Sequence, residues 1–181
     1  MEKVKIGFTG AQACGKTTAI LEMATDLRKN GWAAGIITEN IRKIPHHLPI
    51  NEAATTDSQL WIFGRLLQKE IECTDPIVIC DRTMLDVISY TMRVNSTYAH
   101  ALRPFLHHYI QTYDIIFYLY PKKEYLKKDG FRSTDKQFQK EIKQHIETEI
   151  EHNKEQIPVS YSQDHDERMK VVKDIIKRKK I

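Results

Sequence analysis

The chain has 181 residues, 41% of them hydrophobic, and 28 basic against 24 acidic residues give a net charge of +4. That length and apolar content suit one domain, 1–181, with a full core, and the charge is too mild to point to nucleic acid by itself. No apolar run approaches membrane-spanning length, no signal-peptide pattern opens the chain, and Cys14, Cys73 and Cys80 form neither a zinc pattern nor a disulfide framework. A soluble protein of the reducing cytoplasm is expected.

The first expected element is a buried strand over 4–8. Directly after it, Gly10, Ala11, Gln12, Ala13, Cys14, Gly15, Lys16 and Thr17 fit G-x-x-x-x-G-K-[ST] at every fixed position, and a helix over 18–29 follows, stopped by Asn30-Gly31. In such a loop the glycines let the backbone curl so that successive N–H groups face phosphate oxygens. The helix start adds its positive dipole end. Lys16 would reach the β- and γ-phosphates and the Thr17 hydroxyl would coordinate Mg²⁺. Cys14 lies near a helix N-terminus and reads as a small loop filler or, less readily, as a reactive thiol.

A second strand over 33–38 ends at Glu39, with Asn40, Ile41 and Arg42 behind it. Glu39 suits a general base on a substrate hydroxyl or a water-mediated metal ligand, and a cap or ion pair with Arg42 is the plainer alternative. A helix over 57–72 carries Leu60, Trp61, Phe63, Leu66, Leu67 and Ile71 on one broad face, read as core. A third strand over 77–80 ends in Asp81-Arg82-Thr83. Four apolar residues and an acid form the Walker B pattern, in which the carboxylate holds Mg²⁺, although a cap for the next helix fits as well. Arg82 is suited to clamping a phosphate or orienting an acceptor.

Helices over 84–93 and 98–112 and a strand over 115–120 follow. Then comes Lys127-Lys128-Asp129-Gly130-Phe131-Arg132-Ser133, a charged, Gly-containing stretch suited to a lid whose Arg132 would neutralise charge on a transferred phosphoryl group. A helix over 134–153 has Phe138, Ile142, Ile146 and Ile150 four apart, with His145 and His152 expected in solvent. A strand over 158–161 and a helix over 166–179 close the pattern, with Lys177–Lys180 expected as a solvated helix end. Strands alternating with helices imply a parallel sheet covered on both faces, with ligands at the carboxyl ends of its strands.

Together the runs Phe8 to Thr18, Thr38-Glu39-Asn40-Ile41-Arg42, Cys80 to Tyr90 and Asp129 to Ser133 resemble the P-loop nucleoside and nucleotide kinases, and within them the NadR-like, ribosylnicotinamide kinase-like branch. The resemblance implies a three-layer P-loop NTPase fold, a five-stranded parallel sheet in the order 2-3-1-4-5 and a helical lid over about 122–153. It implies that the loop from Gly10 to Thr18 binds ATP and Mg²⁺, and that Thr17 and Asp81 serve the metal. Lys16, Glu39, Asp81, Arg82 and Arg132 would carry the reaction. The partners implied are ATP and a nucleoside-like or nucleotide small-molecule acceptor, with a homodimer left open. Deoxynucleoside kinases usually carry Glu-Arg-Ser where this chain has Asp81-Arg82-Thr83, so that narrower class does not follow. Two alternatives share the motifs: a kinase acting on nucleic acid, at a terminal hydroxyl or a hydroxymethylated base, and an ATP-hydrolysing switch without an acceptor.

Overall fold

The computed structural model describes residues 3–38, 41–122 and 133–180, with the Arg42 side chain excepted. Glu39, Arg132 and, with it, residues 123–132 of the stretch expected as a lid therefore lie outside the described residues.

Five parallel strands, β1 (Val4–Thr9), β2 (Ala34–Ile37), β3 (Ile77–Asp81), β4 (Ile115–Tyr118) and β5 (Val159–Ser160), pair in the order β2-β3-β1-β4-β5. Among the described residues, six α-helices connect or flank them: α1 (Lys16–Lys29), α2 (Thr56–Glu72), α3 (Met84–Val94), α4 (Ser96–Ile110), α5 (Lys136–Asn153) and α6 (His165–Lys179). Every expected strand and helix is present, with boundaries shifted by a few residues.

The strands are apolar throughout because both sheet faces are covered. Side chains alternate between the two faces along each strand. Ile77, Ile79, Ile115 and Phe117 join a core with Met23 and Leu27 of α1 and Val172 and Ile176 of α6. Val78, Cys80, Ile116 and Tyr118 join the opposite core with Leu85 and Ile88 of α3 and Ile142 and Ile146 of α5. Gly7 keeps β1 thin on that second face: a Cβ there would stand 2.5 Å from the Thr83 methyl. Thr83 can therefore cap α3 against the sheet. Its hydroxyl accepts from Leu85 N, while Asp86 accepts from the Thr83 backbone. Thr83 takes the capping role, which leaves Asp81 as the buried end of β3.

Two expectations need correcting. α2 is not a core helix of the expected kind. Of its apolar face only Leu66 is buried, Ile71 is 68% exposed, and the other deeply buried residues are Ser58, Gln59 and Glu70. It packs on α3 and β2, with Phe63 and Leu67 against the core around Leu66, while Gln59, Ile62 and Leu66 line a cavity. His145 is half-buried, not solvated, and burial pulls its pKa below 6.5.

Candidate active site

The carboxyl ends of β1 and β3 meet because the strands pair in register, Phe8 opposite Asp81. The loop leaving β1 is folded tightly. Gly10 has φ +143°, and a Cβ on it would lie 2.4 Å from the Leu119 carbonyl oxygen. Ala13 and Gly15 both have positive φ, 61° and 81°, so the αL turns that the motif assigns to glycine are shared with an alanine. Alternation of left- and right-handed backbone is what turns consecutive N–H groups toward one point. The loop is tied down at its rim, where Lys122 N donates to Ala13 O at 2.8 Å and Gln139 Nε2 of α5 donates to Gln12 O at 2.7 Å.

Lys16 is 8% exposed and bends back over the loop. Its ammonium donates to Gly10 O, to Ala11 O at 3.3 Å and to Cys14 Sγ at 3.4 Å. Burial alone would lower its pKa, but Cys14, Asp86 and Tyr90 outweigh burial and the repulsion of Arg82, so the ammonium titrates above 10.5. Cys14 is itself buried and lies under Gly10, which fits the loop-filler reading.

Thr17 Oγ1 donates to Asp81 Oδ2 at 3.3 Å. The phosphate loop and the acid at the end of β3 are thus brought together, as the two motifs anticipated. Both are hard oxygen donors and suit Mg²⁺, which binds a few carboxylate or hydroxyl oxygens and completes its shell with phosphate and water. Arg82, next in sequence, has φ 84°, a strained conformation for a residue with a Cβ. Its N–H is fixed by Phe8 O at 3.1 Å, and its guanidinium lies 4.4 Å from the centre of the Tyr90 ring.

Among the described residues, two cavities flank this centre. One, about 180 Å³, opens on the α1–α6 side and is lined by Cys14, Gly15 and Thr18 of the loop region, by Lys122, and by His165 and Arg168 of α6. The other lies under α2. Gln59, Ile62 and Leu66 line it from α2, Ile41 and Ile50 from the irregular stretch before that helix, Arg82 from the turn after β3, and Asp86 and Tyr90 from α3. Sequence reasoning missed Gln59 and Asp86 as site residues. Asp86 stood inside a quoted motif and its spacing from Thr83 signalled only a cap; Gln59 carried no signal at all. At the basic end of α6, Lys179 Nζ reaches Asp114 at 2.6 Å and Lys3 O at 2.7 Å, while Lys177, Arg178 and Lys180 are exposed, as expected of a solvated helix end.

A family model described as an AAA domain matches residues 5–168, and the chain belongs to that family. No curated protein matches it. Among solved structures it is similar to thymidylate kinase from Ehrlichia chaffeensis, with 17% identity, 95% of this chain and 100% of that one covered, and a TM-score of 0.62. It is also similar to thymidylate kinase from Candida albicans, with 18% identity, coverage of 99% and 93%, and a TM-score of 0.65. A third likeness, at 13% identity and TM-score 0.67, is to NadR protein in complex with NAD and AMP-PNP, covering 95% of this chain and 49% of that one. At these identities the likeness establishes the P-loop kinase-type fold expected from the motifs.

Proposed function

We propose, from membership of that family and from the two cavities around the loop, that the protein is an ATP- and Mg²⁺-dependent kinase. It moves the γ-phosphoryl group of ATP to a nucleoside-like or nucleotide small molecule. The observation that carries the reading is the junction of Thr17 with Asp81 between two separate cavities. One cavity borders the start of α1 and would take the nucleotide. The other begins at Arg82, next to Asp81, and would take the acceptor. A hydrolysing switch needs no second cavity, which favours the reading with an acceptor.

In this mechanism the backbone from Gly10 to Thr18 cradles the phosphates, and Lys16 swings from the loop carbonyls to the phosphate oxygens. Thr17 and Asp81 hold the metal, which when bound offsets charge on the phosphates. Arg82 fixes the acceptor. The acceptor oxygen bonds to the γ-phosphorus as the bond to the β–γ bridging oxygen breaks, and ADP leaves with that electron pair. Glu39 takes the acceptor proton and Arg132 neutralises charge on the group in flight, both on the strength of the motif resemblance.

A phosphotransfer screen with γ-labelled ATP, Mg²⁺ and a panel of nucleosides, nucleotides and DNA tests this reading. Label on a nucleoside or nucleotide supports it. Label only on DNA, or only in inorganic phosphate, contradicts it. Glu39→Gln should slow transfer by about a hundredfold with ATP affinity unchanged. Lost ATP binding in that variant would instead put Glu39 at the metal.

A further inference from the structure

We propose that Arg168 reads the base in the nucleotide cavity and opens that cavity to guanine, so that GTP serves as phosphoryl donor as well as ATP. The transfer itself rests on the kinase reading above; the base selectivity is a property of the cavity and is measured without it.

Arg168 lies in the first turn of α6 and lines the cavity of about 180 Å³ that borders the phosphate loop. The residue is 4% exposed. Its guanidinium is poorly served by the protein. Nη1 donates to Ser162 O at 3.3 Å, and Nε has no hydrogen-bond partner among the described residues. Burial pulls its pKa below 12.5, and the charges of Glu22 and Asp164, which line the same cavity, offset this only in part. A buried cation with donors to spare is costly, and beside a ligand cavity it marks where a ligand acceptor belongs. The loop from Gly10 to Thr18 supplies the donors for the phosphates, so Arg168, on the α6 side, is left to meet the base.

The side chains next to it are already engaged. Gln163 Nε2 donates to Tyr118 O at 3.0 Å and to Tyr161 O at 2.9 Å, and its Oε1 accepts from Tyr120 N at 3.2 Å. Asp164 caps α6 by accepting from Glu167 N at 2.9 Å, and His165 Nε2 lies 2.7 Å from Asp26 Oδ2. The carbonyls of Tyr161 and Ser162 each accept a hydrogen bond as well. The α6 wall thus offers a base a donor before it offers an acceptor. An arginine presents its N–H groups as a planar fork. Guanine has N7 and O6 side by side, two acceptors that match the fork. Adenine keeps N7 but carries its N6 amine where guanine has O6, so one arm of the fork would face another donor. Glu22 brings a carboxylate to the cavity from α1, an acceptor for the N2 amine that guanine carries and adenine lacks.

The test is calorimetric binding of the β,γ-imido analogues of GTP and ATP, with Mg²⁺ and no acceptor, to the wild type, Arg168→Lys and Arg168→Met. Lysine keeps the charge and loses the fork; methionine keeps a buried stem and loses both. Thermal melts check that each variant folds. The wild type should bind the GTP analogue at least as tightly as the ATP analogue. The ratio of GTP to ATP affinity should fall by about tenfold or more in both variants, the discrimination carried by one bidentate arginine contact. A wild type that binds the GTP analogue more than tenfold weaker than the ATP analogue overturns the inference and leaves the kinase reading standing. A folded variant with an unchanged ratio also overturns it. The expected ratios in a protein that phosphorylates no acceptor would uphold the role of Arg168 and count against the kinase reading instead.

Discussion

Lys16 shows how the phosphate loop stores its working group. The sequence marks the lysine as a phosphate ligand; the structure adds that its ammonium meanwhile satisfies the carbonyls of Gly10 and Ala11. Lys16→Ala should therefore do two things. Turnover should fall by about a hundredfold or more, as when a charge-stabilising donor is lost. Stability should also drop, by about 1–3 kcal/mol in urea unfolding, because buried carbonyls lose their donor. Full activity in a folded variant would refute the loop assignment. Gly10→Ala tests the backbone instead. With φ +143° and a neighbour at 2.4 Å, it should cost at least about 1–3 kcal/mol and abolish ATP binding, where Ala11→Gly should bind normally. Asp81→Asn should raise the Mg²⁺ concentration for half-maximal turnover by about tenfold or more, as measured by metal titration. At this scale the loop and the Asp81-Arg82 pair were legible because their chemistry demands fixed residues at fixed spacing. Asp86 and Gln59 were not, since a cap and a helix interior use the same residue types.

α5 is the element that ties the phosphate loop to α3. Its buried stripe, Phe138, Ile142, Ile146 and Ile150, packs it on α3 and the sheet. Its N-terminal turns reach both sides of the site. Gln139 holds Gln12 O of the phosphate loop. Arg93 of α3 donates to Glu141 at 3.1 Å and to Glu52 O at 3.3 Å, and Ser133 Oγ donates to the Glu52 carboxylate. Gln139→Ala should weaken ATP binding by a few-fold, read by calorimetry, since it frees one loop carbonyl; unchanged affinity would remove α5 from the nucleotide site. The same helix carries a pH dependence. Burial holds His145 neutral with a folded pKa below its unfolded 6.5, so the unfolded chain binds the proton more readily. His145 has no effect above that pH. Its contribution turns destabilising as pH falls through 6.5 and levels off below the folded value. His145→Gln should lose less stability than the wild type between pH 7.5 and 5. Equal losses would contradict it. The periodicity of α5 exposed its stripe in the sequence. For α2 periodicity found Phe63, Leu66 and Leu67, which pack toward the core, but not the exposure of Ile71, which only tertiary placement decides.

For the whole molecule, alternation of apolar strands and amphipathic helices was enough to give a parallel sheet with two covered faces, and the motifs fixed its strand order by resemblance. What stayed illegible was the acceptor side, built from short irregular stretches and the rim of α2, where no periodic pattern or fixed spacing operates. The proposed kinase couples ATP breakdown to an acceptor instead of to water. The most direct measurement is the ratio of phosphorylated acceptor to ADP, both quantified by mass spectrometry in one reaction with Mg²⁺ and a nucleoside found in the screen. The account predicts a ratio near one and ADP formation that rises with acceptor concentration. ADP released at the same rate without acceptor, with inorganic phosphate as the only other product, would contradict it.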